Sequence, residues 1–152
     1  MSRALAASCM LLLAACDSPN APGDDPRADP SDAQLVKRGA QVYAEHCAAC
    51  HGAKLEGQPD WRRRRPDGRM PAPPHDESGH TWHHPDHELF GITKHGLVPP
   101  YAPRAYESDM PAFADKLSDA EIWAVLAYIK SHWTSQEVLR TRAEMTRNAR
   151  AR

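Results

Sequence analysis

Gly39-Ala40-Gln41-Val42-Tyr43-Ala44-Glu45-His46-Cys47-Ala48-Ala49-Cys50-His51-Gly52 is the stretch that decides the fold. Its second half contains Cys-x-x-Cys-His, which reads as an attachment site for a c-type haem. Two thiols add across the two vinyl groups of the porphyrin. The two residues between them set the sulfurs at a reachable separation, and the adjacent histidine is carried under the iron. Three rival readings use the same residues. A thioredoxin-like redox pair needs strand-helix alternation and a lowered thiol pKa, and no such alternation is visible. A disulfide between Cys47 and Cys50 closes too small a loop to constrain much. A zinc site needs further ligands at set spacings, which only the histidines downstream could supply.

Ahead of the motif, Ser31 and Gln34 fit a capping box. Val36, Ala40, Tyr43 and Cys47 then recur at helical spacing. The pattern predicts a helix over about residues 32–46 that delivers the chain to the cysteines. Gly39 lies inside it, where glycine costs about 1 kcal/mol against alanine, a cost usually offset by close approach of another element. Downstream, Ser118 and Glu121 form a second capping box. Ile122, Val125, Leu126, Ile129 and Trp133 mark one face of a helix over about 119–133. Between them, Pro85 suits a first turn, Asp86 and Glu88 suit the helix dipole, Leu89 and Ile92 pack, and Gly96 stops the helix near His95.

Across residues 33–134 the chain resembles the class I cytochrome c family, most specifically over residues 39–52. The resemblance implies an all-α cytochrome c fold, with about three main helices wrapped around one covalent haem c. Cys47 and Cys50 then hold the ring and His51 ligates the iron. Gly39 and Tyr43 take the family's places in the first helix, packed against the C-terminal helix, with Tyr128 near Gly39. The family also places a methionine, usually followed by proline, before the last helix. Met110-Pro111 occupies that place here and implies Met110 as the second axial ligand. Met70-Pro71 is a rival, but it comes early and has no helix start after it. A soft thioether raises the reduction potential. With both axial positions filled, the reading is a one-electron carrier for redox partner proteins and not an enzyme. A haem sensor or small haem enzyme with an open iron site stands as the alternative.

The middle segment departs from the plainest family pattern. Five of the nine histidines fall between His75 and His87, mostly in a loop before the middle helix. Trp82 and one or two histidines can donate to the haem propionates. A second metal site on His80, His83, His84 and His87 is a further alternative, as is a pH-sensitive patch. Arg62-Arg63-Arg64-Arg65 reads as a solvated charge run, or as one that steers an acidic partner or touches anionic lipid.

Residues 1–15 carry one early basic residue, Arg3, and an apolar run ending in small residues, as a secretory signal does. Leu13-Ala14-Ala15-Cys16 resembles the bacterial lipoprotein box, which implies cleavage before Cys16 and acylation of it. Asp17, by a rule for enteric lipoproteins, implies retention at the periplasmic side of the inner membrane. Residues 16–32 hold four prolines among five aspartates without apolar periodicity, and read as a lipidated cysteine followed by an extended tether. Residues 135–152 form a basic tail that reads as a fraying extension of the last helix. The 152 residues make one domain; 19 basic against 20 acidic residues exclude a general nucleic-acid binder. No apolar run reaches the roughly 18 residues of a spanning helix. At 7% aromatic residues the side-chain core is thin, so a large apolar cofactor is expected to complete it.

Overall fold

The computed structural model describes residues 25–150; the signal segment, Cys16 and residues 17–24 lie outside them. All regular structure among the described residues is helical. The helices are α1 (Ala33–His46), α2 (Ala48–His51), α3 (Asp86–His95), α4 (Asp119–Lys130) and α5 (Gln136–Arg150), with short 3-10 turns at Pro26–Ala28 and Thr81–His83.

Each start and stop has a local cause. Asp32, not Ser31, caps α1: its carboxylate accepts the Gln34 and Leu35 amides at 2.9 and 3.1 Å. Ser31 is diverted because its hydroxyl donates to Asp29 at 2.7 Å. α2 follows a break at Cys47 and ends at Gly52, whose φ of 82° favours glycine. α3 ends at Gly96 with φ 78°. The Ser118–Glu121 capping box opens α4. That helix stops at Lys130 rather than near 133, and Trp133 is buried in the bend beyond it.

The principal helix contact is between α1 and α4. Gly39 makes it possible. A Cβ there would fall within 2.8 Å of the Tyr128 Cβ and closer still to the Ala124 carbonyl of α4. One turn on, Tyr43 packs against Tyr128 with ring centroids 5.3 Å apart. α4 buries Ile122, Val125, Leu126 and Ile129, the face its periodicity marks.

Two segments differ from the expected layout. The expected tether reaches into the domain from Asp25 onward. Ala28 is fully buried, the Arg27 guanidinium lies 4.2 Å over the Trp123 ring, and the Asp25 amide donates to Asp86 at 2.9 Å. The tail is a separate docked helix. Its Val138 is buried, and its Arg142 donates to the carboxylate of Asp86 at 2.5 Å and to the His84 carbonyl at 2.9 Å. Arg142 also covers the Trp133 ring at 4.9 Å. A fraying basic tail is therefore replaced by a helix whose middle arginine is neutralised inside the protein.

Gly39→Ala tests the packing. The helix gains about 1 kcal/mol of propensity, but the new methyl meets α4 backbone, which cannot swing aside, and overpacking costs about 1–3 kcal/mol. The expected net result is a lower melting temperature by thermal circular dichroism; an unchanged or higher one contradicts this packing.

Candidate functional site

α1, α3, α4 and the two proline-rich loops enclose a cavity of about 510 Å³. The motif forms part of its wall: Cys47, Cys50 and His51 all line it. Leu89 and Ile92 of α3, Leu97, and Val125, Leu126 and Ile129 of α4 make it apolar. Met70 and Met110, each in a Met-Pro-Ala segment, also line it. Trp61, Arg64, Arg65, His80 and His84 supply polar groups.

His51 carries the most informative geometry. It is buried, and its Nδ1 lies 2.8 Å from the Pro73 carbonyl. A carbonyl only accepts, so Nδ1 holds the proton and, in the neutral ring, Nε2 keeps a free lone pair. Burial lowers the His51 pKa and so favours that neutral form. A ring with one nitrogen committed to a backbone carbonyl and the other free is the arrangement metal-ligating histidines show. Burial pushes the Cys47 thiol up to about 11, with the neighbouring Cys50 adding to the shift. Cys50 is exposed.

Three sequence-predicted residues lie off the cavity wall. Gly39 and Tyr43 belong to the α1–α4 contact, and the Tyr43 hydroxyl donates to the Gly52 carbonyl at 3.0 Å, closing the motif turn. Trp82 is buried, but its indole N–H is spent on the Glu77 carbonyl at 3.2 Å. Donors that do line the cavity include Trp61, Arg64, Arg65, His80 and His84, so part of the arginine run faces the site. Among the described residues no three His, Cys, Asp or Glu side chains gather as metal ligands. His83 instead stacks on Trp82 at 3.7 Å. The Pro73 carbonyl had no signal in the sequence, and His75 showed only as one of the five histidines of the loop segment. The Trp61-Arg62 pair, which forms a cation–π contact at 4.1 Å, shows in sequence only as an aromatic beside a charge run.

The Cytochrome c family profile matches residues 36–133. The chain belongs to the cytochrome c family. With one Cys-x-x-Cys-His motif it is a monohaem class I c-type cytochrome, an electron-transfer domain whose cofactor is covalently bound haem c. It is also similar to the Cbb3-type cytochrome c oxidase subunit FixP of Rhizobium meliloti (strain 1021), with 35% identity over 80 residues, covering 49% of this chain and 24% of that protein. The FixP subunit of Sinorhizobium medicae (strain WSM419) is 34% identical over 80 residues, with the same coverage. The chain thus spans about a quarter of the length of these relatives.

The cavity fits such a group. It is apolar along α3 and α4, offers a lone-pair nitrogen beside two cysteines, and carries cationic donors suited to carboxylates. Without such a group the apolar wall formed by α3 and α4 would face water, and the burial that holds these helices together would be incomplete. The Cys47→Ser/Cys50→Ser double variant, produced without covalent haem, is therefore expected to lose most of its helical circular dichroism. Retention of the full signal would show that the fold does not depend on the cofactor.

Proposed function

We propose that the chain is a membrane-tethered one-electron carrier in which His51 and Met110 are the axial ligands and no substrate is transformed. Bound haem supplies an iron that gains and loses one electron. The protein's work is to hold that group and exclude water. Cys47 and Cys50 anchor it through thioethers, and the Pro73 carbonyl fixes the His51 tautomer. Arg64 and Arg65 offer charge-assisted hydrogen bonds to its carboxylates. The single observation that carries the reading is the His51–Pro73 hydrogen bond in the wall of an apolar cavity.

Met110 is favoured over Met70 because it packs against the core cluster. Met110→Leu is expected to abolish the long-wavelength thioether-to-iron band of the ferric protein. It should also admit carbon monoxide to the ferrous protein and lower the midpoint potential by a substantial part of the roughly 0.8 V that axial ligands span. Met70→Leu should leave all three unchanged. The reverse pattern would assign the ligand to Met70, and carbon monoxide binding by the unaltered protein would favour a sensor or enzyme.

The tether belongs to the same proposal. No helix among the described residues is long and apolar enough to cross a membrane. Attachment is assigned to acylated Cys16 on the resemblance of Leu13-Ala14-Ala15-Cys16 to the lipoprotein box. The nine steps from Cys16 to Asp25 can span at most roughly 32 Å, which keeps the domain close to the periplasmic face of the membrane. Similarity to FixP supports respiratory-chain partners. Cys16→Ala should move the protein from the membrane pellet to the soluble fraction of its host, still coloured; persistence in the pellet would remove the lipid anchor from the account.

A further inference from the structure

His75 has no part in the ligand set, yet it is the nearest ring to the proposed iron ligand. Its imidazole lies flat against that of His51, with centroids 3.8 Å apart and planes at 22°. The backbone of His75 is tied on both sides. Its amide donates to the Leu55 carbonyl at 2.8 Å, and its carbonyl accepts the Trp133 indole N–H at 2.9 Å. The Tyr43 ring meets it edge-on, with centroids 6.0 Å apart. Its Nδ1 is closed off from solvent without a hydrogen-bond partner, while the ring contributes to the cavity wall. Within the protein, the closest ring contact of His75 is through its face, on His51.

Residues 73–75 therefore hold His51 at two points. The Pro73 carbonyl grips the edge of the ring at Nδ1. That hydrogen bond and the Cβ–Cγ bond set the plane of the ring only within the angular tolerance of one hydrogen bond. A flat surface against its face narrows the rocking that remains.

We infer that His75 is a positioning residue that fixes the plane of the His51 imidazole by stacking on it. This rests on the reading of His51 as the axial ligand. A role in filling space needs only volume, whereas a role in orientation needs a flat ring. Leucine supplies the first without the second, and phenylalanine supplies both.

The experiment uses full-length protein made with the haem-attachment machinery, with covalent haem counted first by the pyridine haemochrome spectrum. The ferric protein, His75→Leu and His75→Phe are then compared by electron paramagnetic resonance and by the order of the haem-methyl proton shifts, both of which report the orientation of the ligand plane. His75→Leu is expected to shift the g values and reorder the methyl resonances, and His75→Phe to restore the pattern. If His75→Leu yields too little coloured protein, His75→Met against His75→Phe makes the same comparison of no ring with a ring. An unaltered pattern without the ring, in protein carrying its full haem, overturns the inference and leaves the ligand assignment standing. Unaltered protein without covalent haem overturns both.

Discussion

The hydrogen bond from His51 Nδ1 to the Pro73 carbonyl joins the motif helix to a loop with no regular structure of its own. The rest of the site depends on that loop staying where it is. Gln58 and Ala72 exchange hydrogen bonds beside it at 2.9 and 3.1 Å, and the His75 amide is held by Leu55. Thr81 Oγ1 donates to the Pro74 carbonyl at 3.3 Å. Beyond the loop, Glu77 accepts the backbone amides of Thr134 and Ser135, the latter at 2.7 Å. Trp133 donates to the His75 carbonyl from the same bend. A continuous path of contacts thus runs from the turn between α4 and α5 to the imidazole of His51. The segment after α4 acts as a strut for the ligand side of the cavity, although it lies far from Cys47 in sequence.

The strut is itself held by buried charge. Asp86, Lys130 and Arg142 have side chains only 2–4% exposed, and both cations reach the one carboxylate, Lys130 at 2.7 Å and Arg142 at 2.5 Å. Taking these ions from water is expensive, and their mutual attraction roughly offsets it, so such a cluster contributes little net stability. What it contributes is location. A shifted docking of α5 that kept Arg142 buried but away from Asp86 would cost several kcal/mol. The cluster joins the N-terminus of α3, the C-terminus of α4, the middle of α5 and the Asp25 amide, fixing four segments with one carboxylate.

The parts legible in the sequence were those governed by local rules. The motif, the Ser118–Glu121 capping box, the face of α4 and the glycine stop of α3 all depend on residues within a turn or two of one another. Gly39 showed as a cost that close approach of another element would offset, and α4 is that element. Misreadings came where a local rule had two claimants or a distant partner decided. Ser31 could cap α1, but Asp29 takes its hydroxyl and Asp32 is one residue nearer. Trp82 could donate to a carboxylate, but the Glu77 carbonyl lies within reach in its own loop. Arg142 looks like any exposed arginine of a basic tail, because Asp86 is 56 residues away. A backbone carbonyl such as that of Pro73 has no signature in sequence at all.

The two Met-Pro-Ala segments show how placement, not motif, separates equivalent chemistry. Both reach the cavity, and ion pairs join their preceding residues: Asp109 is bridged by Arg65 and, at 3.3 Å, by Arg69. The segment at Met110 is also hooked into the helical frame. The Met110 amide donates to Ser108 Oγ at 3.0 Å, and the Phe113 and Ala114 amides donate to the Thr93 and Lys94 carbonyls at the end of α3, at 3.1 and 3.0 Å. Phe113 itself is buried in the core. The segment at Met70 is tied to other loops, through the Arg65 amide on the Arg69 carbonyl and through Gln58. A thioether is a weak ligand that gains from being held in place before it binds. For the proposed ligand Met110 that restraint would come from anchorage to α3, whereas the hydrogen bonds around Met70 run to other loops. The arginine run then has a structural task besides its charge: through Arg65 it closes the loop of Met70 against the loop of Met110 at the rim of the cavity.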